Sequence, residues 1–240
     1  MFNWALFLTL VSISIPGIII SSIMLNHKTA SGKREAPIAA AIILQIVFLS
    51  IFVALGAALI NKISLNAQNI YMSSWVEAAV AGIGCSVTHL FIYYGFFRPL
   101  LGEAFYKIEK HRNSIGIAAR ILYASVVEEL IFRWGIMSFL LWFTQSMLTE
   151  RTSVLTSIVV SSLIFTLAHY PGSSIAGKSF ALYSYIFIGN MLAGVICGWQ
   201  FYENGIFAAI LVHMCFHFIL YPFEVKVLKK QAGHTIIKQP

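Results

Sequence analysis

The chain has 240 residues, of which 59% are hydrophobic and only 10% are charged. An average soluble domain is about 45–50% apolar with about 25% charged residues, so this composition excludes a water-soluble globule as well as a disordered chain. The net charge of +7 comes from 16 Lys and Arg against nine Glu, and the basic residues sit in short stretches between apolar runs, which argues against nucleic-acid binding. The composition therefore predicts an all-α, polytopic transmembrane helix bundle, and the mean hydropathy of +0.82 agrees.

Seven apolar runs are long enough to cross a bilayer, which takes about 20 residues. They cover residues 3–25, 37–60, 75–97, 117–144, 153–169, 180–201 and 206–223. The first run has no basic leading segment and no cleavage site after it, so it is predicted to be a span rather than a signal peptide. Residues 98–116 mix polar and apolar side chains and are predicted to lie along the membrane surface.

Lys and Arg are distributed unevenly between the two sides of these spans. Thirteen fall at loops one, three and five and in the C-terminal tail, two fall on the opposite side, and Arg133 lies within the fourth run. Because cytoplasmic loops carry the excess of basic residues, the count predicts an N-terminus outside and a C-terminus in the cytoplasm. Residues 224–240 are predicted to form a solvated basic tail. Seven spans with short loops favour a bacterial cell membrane.

Ionisable residues at membrane depth are costly and are functional hypotheses by default. In the fourth run Glu129 and Arg133 are four residues apart and share a helix face, so a structural ion pair explains both without any function. Glu128 is then a surplus acid, roughly 100° around the helix, and is a candidate general acid or base.

Three histidines lie in later spans: His169 ends the fifth, and His213 and His217 are four apart in the seventh. A single membrane histidine is more often a hydrogen-bonding residue between helices. Three of them together with two Glu and an Arg indicate one shared polar site, open to the cytoplasm. His89 in the third span has no charged neighbour in its helix and is interpreted as a packing residue or as a residue that supports the site from behind.

These residues form an ordered set that resembles a known family. The motifs are Glu128-Glu129-x-x-x-Arg133, Phe165-x-x-x-His169, a sixth span bearing Gly189, Ala193, Gly194 and Gly198, and His213-x-x-x-His217. In this order, over residues 117–222, they resemble the CPBP family of CAAX prenyl proteases and bacteriocin-processing intramembrane endopeptidases, also called the Abi family. The resemblance divides the chain into an N-terminal membrane region at 1–116, a protease core at 117–223 and the tail at 224–240.

The resemblance implies roles for individual residues. Glu128 stands at the place of the proposed catalytic glutamate, and His169 at that of the histidine that helps to position water. The last motif of the family is usually His followed four residues later by Asn or Asp, and here His217 stands at that place. Our hypothesis is that Glu128 activates a water held with His169, that His213 and His217 donate to the oxyanion, and that Glu129, Arg133 and Phe165 support them.

Other mechanisms and functions remain open from the sequence. Zinc bound by Glu128, His169, His213 and His217 is the alternative to a mechanism without a cofactor. The zinc chemistry of site-2 proteases is disfavoured because the motif HExxH is absent. The lack of Asp excludes an aspartyl protease, and a rhomboid-like serine protease is disfavoured because the sequence has no GxSG motif. Cys85, Cys197 and Cys215 show no metal-binding spacing.

The rival functions are a membrane transporter and an inactive scaffold that keeps the CPBP fold. A transporter is disfavoured because the two halves of the sequence show no inverted repeat. The expected partners of a protease are the lipid bilayer and a protein or peptide substrate, either prenylated or related to bacteriocins. A Glu128 substitution separates the three, since only the enzyme loses cleavage.

Overall fold

The computed structural model describes residues 2–28, 37–63 and 74–237, and these form helices without a strand. The all-α transmembrane bundle expected from the composition is therefore confirmed. Its long helices are α1 (Trp4–Lys28), α2 (Ile38–Leu59), α3 (Trp75–Leu90), α4 (Glu103–Ile115), α5 (117–144), α6 (Glu150–His169), α7 (Phe180–Asn204) and α8 (Ile206–Ile237). Beyond Leu90, α3 continues through a π-helical segment, Phe91–Phe97, into a last α-helical turn, Arg98–Leu101.

The helix α5 has the longest π-helical stretches among the described residues. It starts as an α-helix at Ile117–Ala119, is π-helical over Arg120–Glu128 and Leu130–Met137, and becomes α-helical again over Ser138–Thr144. The wider π turn is rare and is frequently found at functional sites. In α5 it coincides with the part of the chain that holds the paired glutamates.

Within the described ranges, six helices are long and apolar enough to cross a membrane, and each overlaps one predicted span. The remaining predicted span, 117–144, corresponds to α5. It carries four charged residues, Arg120, Glu128, Glu129 and Arg133, and is therefore less apolar than the other spans. The polarity of α5 is tolerated because the other helices surround it.

Packing places α5 in the interior of the bundle. It contacts α1 and α2 on one side and α6, α7 and α8 on the other. Leu130, Trp134 and Met137 are almost completely buried in the largest apolar cluster, and the Trp134 indole donates a hydrogen bond to the Val53 carbonyl oxygen at 3.0 Å. The position of Glu128 and Glu129 is therefore determined by apolar contacts on both sides of their helix.

Small residues of α7 let it approach its neighbours closely, as the sequence indicated. A Cβ added at Gly194 would lie 2.8 Å from the Ser162 Cβ of α6, and one at Gly189 would lie 2.9 Å from the His89 ring. At the end of α7, Gly205 has φ of +86°, a conformation that side chains with a Cβ rarely adopt, and turns the chain directly into α8. This hairpin aligns α7 and α8 beside α5.

Two sequence-based expectations need correction. The seventh helix continues past Phe223 to Ile237, and Glu224 is completely buried, so the start of the expected basic tail belongs to the packed bundle. Residues 238–240 lie outside the described residues. The segment 98–116 contains α4, which buries Phe105 and Glu109 against the bundle rather than only lying on a membrane surface. Glu224 is paired with Arg120, and Glu109 accepts a hydrogen bond from the Tyr94 hydroxyl. Hydropathy values do not report such pairs, so both segments looked solvent-exposed in the sequence.

The unequal distribution of Lys and Arg generates a prediction about orientation. A reporter enzyme that works only in the cytoplasm is expected to be active when it is fused after Pro240. The reason is that 13 basic residues are assigned to the cytoplasmic side and two to the other. Paired reporters for the two compartments, fused at the same position, provide the measurement. Activity of the reporter for the external compartment would contradict this topology and the count of seven spans.

Candidate active site

A cavity of about 490 Å³ is lined by seven of the eight long helices, α1 and α3 to α8. This is within the range of pockets that bind small ligands or peptide segments, about 300–1,000 Å³. It brings together five residues that the sequence singled out, from three different helices: Glu128, Phe165, His169, His213 and His217. Glu129 and Arg133 are completely buried beside it, and His89 lines its wall. The predicted polar residues therefore form one site.

Glu128 and His169 face each other across the cavity at its partly exposed side. The Glu128 Oε2 and His169 Nε2 atoms are 3.9 Å apart, and the side chains are 22% and 34% exposed. The other ring nitrogen of His169, Nδ1, lies 2.8 Å from the Phe165 carbonyl oxygen. Since a carbonyl only accepts, Nδ1 carries a proton and Nε2 of the neutral ring holds a lone pair. A carboxylate oxygen and an unprotonated nitrogen thus point at the same small space.

The second glutamate of the pair makes a buried ionic cluster. The Glu129 Oε2 atom lies 3.2 Å from the Arg133 Nε, and the His213 Nδ1 donates to Glu129 Oε1 at 2.8 Å. Arg133 also donates to the Gly194 carbonyl oxygen at 3.0 Å, and its guanidinium lies 4.8 Å from the centre of the Phe165 ring. These contacts join α5, α6, α7 and α8, so Glu129 holds the site together while its neighbour Glu128 faces the cavity.

His217 has partners that the sequence analysis did not identify. Its Nδ1 receives hydrogen bonds from Arg120 Nε at 3.3 Å and from Nη2 at 3.2 Å, and Arg120 is paired with Glu224. The His217 Nε2 is buried and has no hydrogen-bond partner among the described residues. Arg120 was counted only as a topology signal and Glu224 only as part of the tail. The available signal was spacing, since Glu224 follows His217 by seven residues, or two helical turns on one face.

A wider polar network lies behind this pair. Arg112 of α4 approaches the Glu224 and Glu109 carboxylates at 3.8 and 4.0 Å and donates to the Tyr185 hydroxyl. That hydroxyl lies 3.3 Å from the His89 Nε2, so His89 belongs to this network. Burial raises the pKa of Glu109, with Arg112 acting in the opposite direction. Arg112 and Arg120 therefore both approach the Glu224 carboxylate, and Arg112 also approaches Glu109.

Whether the four predicted ligands could bind zinc depends on which of them have a free lone pair. His169 and Glu128 each present an atom with a free lone pair, and neutral His213 keeps one on Nε2, because its Nδ1 proton is donated to Glu129. His217 does not fit, because its only lone pair faces the Arg120 cation. The complete set of four predicted ligands therefore does not fit one zinc ion, while Glu128, His169 and His213 would supply the three protein ligands that a catalytic zinc site uses.

A different set of possible ligands, Glu129, Cys197 and His213, offers atoms within 4.8 Å of one another. All three residues are buried. Glu129 is already paired with Arg133 and His213. A cation there would have to displace the Arg133 guanidinium, so this set is not favoured either.

Comparison with known proteins agrees with the geometry. Residues 110–219 match a family described as type II CAAX prenyl endopeptidase Rce1-like. The match confirms the resemblance to the CPBP family, and it includes every residue of the site named above except Glu109, Glu224 and the wall of α3. No significant match was found among curated proteins or solved structures.

The matched region and the membrane helices together define a class of protein. Residues 110–219 match a family of CAAX proteases, and the membrane-length helices are those of a multi-pass integral membrane protein. The protein is therefore a hydrolase of the membrane-protease class. The family supports the activity of an intramembrane endopeptidase acting on a peptide or protein.

The different surroundings of the two glutamates predict different effects on stability. Glu129→Gln removes the charge that balances buried Arg133, and breaking such a pair costs about 3–5 kcal/mol. Glu128→Gln, at the partly exposed cavity wall, is expected to cost about 1 kcal/mol. The free energy of unfolding, measured by denaturant titration in mixed micelles, provides the comparison. Equal losses for the two variants would contradict the assignment of Glu129 to the structural cluster.

Proposed function

We propose that the protein is an intramembrane endopeptidase in which Glu128 activates a water molecule for attack on a peptide bond. The observation that supports this most directly is the 3.9 Å gap between the Glu128 Oε2 and the His169 Nε2. Both atoms are acceptors when the histidine is neutral, so they cannot bond to each other. A water molecule donates one hydrogen to each of them, which directs its lone pairs toward the cavity.

The hydrolytic step follows from this arrangement. Glu128 takes a proton from the water, and the oxygen attacks the carbonyl carbon of the scissile bond. The tetrahedral intermediate breaks its C–N bond, and protonated Glu128 gives the proton to the leaving amine. One water is consumed and two peptide ends are formed, with no oxidant, reductant or cofactor. Proton transfer by a positioned carboxylate of this kind contributes about 10²–10⁴-fold to the rate.

The developing oxyanion needs hydrogen-bond donors. We assign this role first to His217, whose Nε2 carries the proton because Nδ1 accepts from Arg120, and whose Nε2 has no partner among the described residues. His213 donates from Nε2 only when both of its ring nitrogens are protonated, because its Nδ1 proton is already donated to Glu129. His217 thus supplies a donor where the family usually has the amide of Asn.

The substrate proposal follows the matched family. The cavity combines the polar site with apolar walls from Met24, Ile108, Ile115 and Ile175. Such a cavity accommodates a peptide with an apolar attachment, and we propose a prenylated CAAX peptide as the substrate, cleaved at the cytoplasmic face of a bacterial cell membrane. A peptide without a prenyl group, of the bacteriocin-related kind, is the alternative.

Removal of the proposed base is the first test of this function. An internally quenched, farnesylated CAAX peptide is incubated with purified protein in micelles, and fluorescence reports cleavage. Glu128→Gln is expected to lower kcat at least about 10²-fold, because the amide cannot take a proton from water. Equal turnover by wild type and Glu128→Gln would contradict the catalytic assignment.

A matched control and a second peptide complete this experiment. Glu150→Gln removes an exposed carboxylate in the first turn of α6 and is expected to leave kcat unchanged. The same peptide without its farnesyl group separates the two substrate classes. Faster cleavage of the unprenylated peptide would contradict the prenylated substrate while leaving the chemistry of Glu128 in place.

The choice between glutamate and zinc chemistry generates another prediction. His217→Asn replaces one hydrogen-bond donor by another, so cleavage is expected to stay within about tenfold of wild type. In a zinc enzyme that used His217 as a ligand, the same change would remove most of the activity. Metal analysis of both purified proteins accompanies the assay. Stoichiometric zinc that is lost together with turnover in His217→Asn would contradict the proposed mechanism.

A further inference from the structure

The hydrogen bonds of Arg120 determine where His217 carries its proton. Two guanidinium nitrogens, Nε and Nη2, lie 3.3 and 3.2 Å from the His217 Nδ1. A guanidinium has donors and no acceptor, so Nδ1 must be the accepting nitrogen. The neutral imidazole therefore has its single proton on Nε2, and Arg120 fixes both the tautomer and the direction of the ring.

Arg120 is itself held by Glu224. The two side chains meet through both guanidinium ends, with Nη2 donating to Oε1 at 3.1 Å and Nη1 donating to Oε2. Arg120 is 5% exposed and Glu224 is fully buried. A paired arginine and carboxylate of this kind has little freedom of orientation. The pair connects the start of α5 with the cytoplasmic half of α8, 104 residues later in the chain.

A histidine needs such a partner more than an amide does. The side-chain nitrogen of Asn always carries two hydrogens, whereas a neutral histidine donates from Nε2 in only one of its two tautomers. The donor at position 217 therefore depends on what contacts Nδ1. In the described part of the chain the atoms that contact Nδ1 belong to Arg120.

We propose that Arg120 and Glu224 are positioning residues that hold His217 as an Nε2–H donor to the oxyanion. This inference rests on the proposed function, because only a hydrolase has an oxyanion to stabilise. The competing explanation is that the pair simply ties α5 to α8. The two explanations differ in whether the effect of losing the pair depends on the residue at position 217.

A double-mutant cycle makes this comparison. Arg120→Met and Glu224→Leu are introduced together, because removing one charge of each sign keeps the net charge of the cluster unchanged and leaves Arg112 with Glu109 at 4.0 Å. In the otherwise wild-type chain the two substitutions are expected to lower kcat for the farnesylated CAAX peptide about tenfold or more. On top of His217→Asn the same two substitutions are expected to lower kcat by less than about threefold. Equal losses in both backgrounds would overturn the positioning role.

Nitrogen NMR of the imidazole rings provides a readout that does not depend on cleavage. The protein is labelled with ¹⁵N in its histidine rings, and the His217 signals are assigned by their loss in His217→Asn. In the wild type, Nδ1 is expected to show the shift of an unprotonated nitrogen and Nε2 that of a protonated one. After loss of the pair, exchange broadening or a changed Nδ1 shift is expected. A protonated Nδ1 in the wild type, or an unchanged spectrum without the pair, would overturn the proposal.

The two readouts distinguish failure of this inference from failure of the proposed function. If the wild type cleaves the peptide and Nδ1 carries the proton, only the positioning role is contradicted. If the wild type cleaves neither form of the peptide while Nδ1 is an acceptor, the proposed function is contradicted and the positioning role with it. Arg120→Lys keeps a cationic donor and is expected to recover part of the turnover lost in Arg120→Met.

Discussion

The fully buried carboxylates Glu129 and Glu224 are each paired with an arginine, and these pairs organise the structure around α5. A lone charge at membrane depth is expensive, and Arg133 avoids that cost through Glu129, with His213 as a third member. Arg120 and Arg112 avoid it through Glu224. The two clusters connect α5 to α8 at two levels, and between them lies the cavity that contains the proposed chemistry.

Glu128 differs from the other buried or half-buried carboxylates of the bundle in this respect. Its neighbour Glu129 pairs with Arg133, and Arg120 is directed toward Glu224. The group opposite Glu128 is instead the His169 Nε2, at 3.9 Å. A carboxylate that does not carry the structural ion pair is available for proton transfer. The adjacent glutamates thus separate two tasks, one structural and one proposed to be chemical, on neighbouring positions of one helix.

The bundle class and the residues around the cavity were predictable from the sequence, because both depend on local patterns. Apolar runs of span length predicted the helices, and four-residue spacings predicted that Glu129 and Arg133, or His213 and His217, share a face. The pair of Arg120 and Glu224 was not predicted, because it joins positions 104 residues apart. Glu224 also follows the point where hydropathy falls, so it was assigned to a solvated tail. The π-helical turns of α5 have no simple sequence signal.

The contacts of His217 explain how a histidine can stand where the family motif usually has Asn or Asp. A histidine in place of Asn or Asp suggested either a zinc ligand or a loss of activity. Its contact with a cation removes the lone pair that zinc would need, and its proton on Nε2 retains the hydrogen-bond donor that the amide supplies. In the proposed mechanism, the residue that departs from the motif still supplies a donor at that place, provided that Arg120 stays in place.

Whether Glu128 makes this membrane protein a peptidase is tested most directly by an inventory of peptide ends in living cells. Membrane fractions from cells that produce wild type, Glu128→Gln or Glu150→Gln are compared by mass spectrometry of newly formed N- and C-termini. We expect a set of termini that is present with wild type and Glu150→Gln and absent with Glu128→Gln. The same termini in all three samples would contradict the proposed role of Glu128.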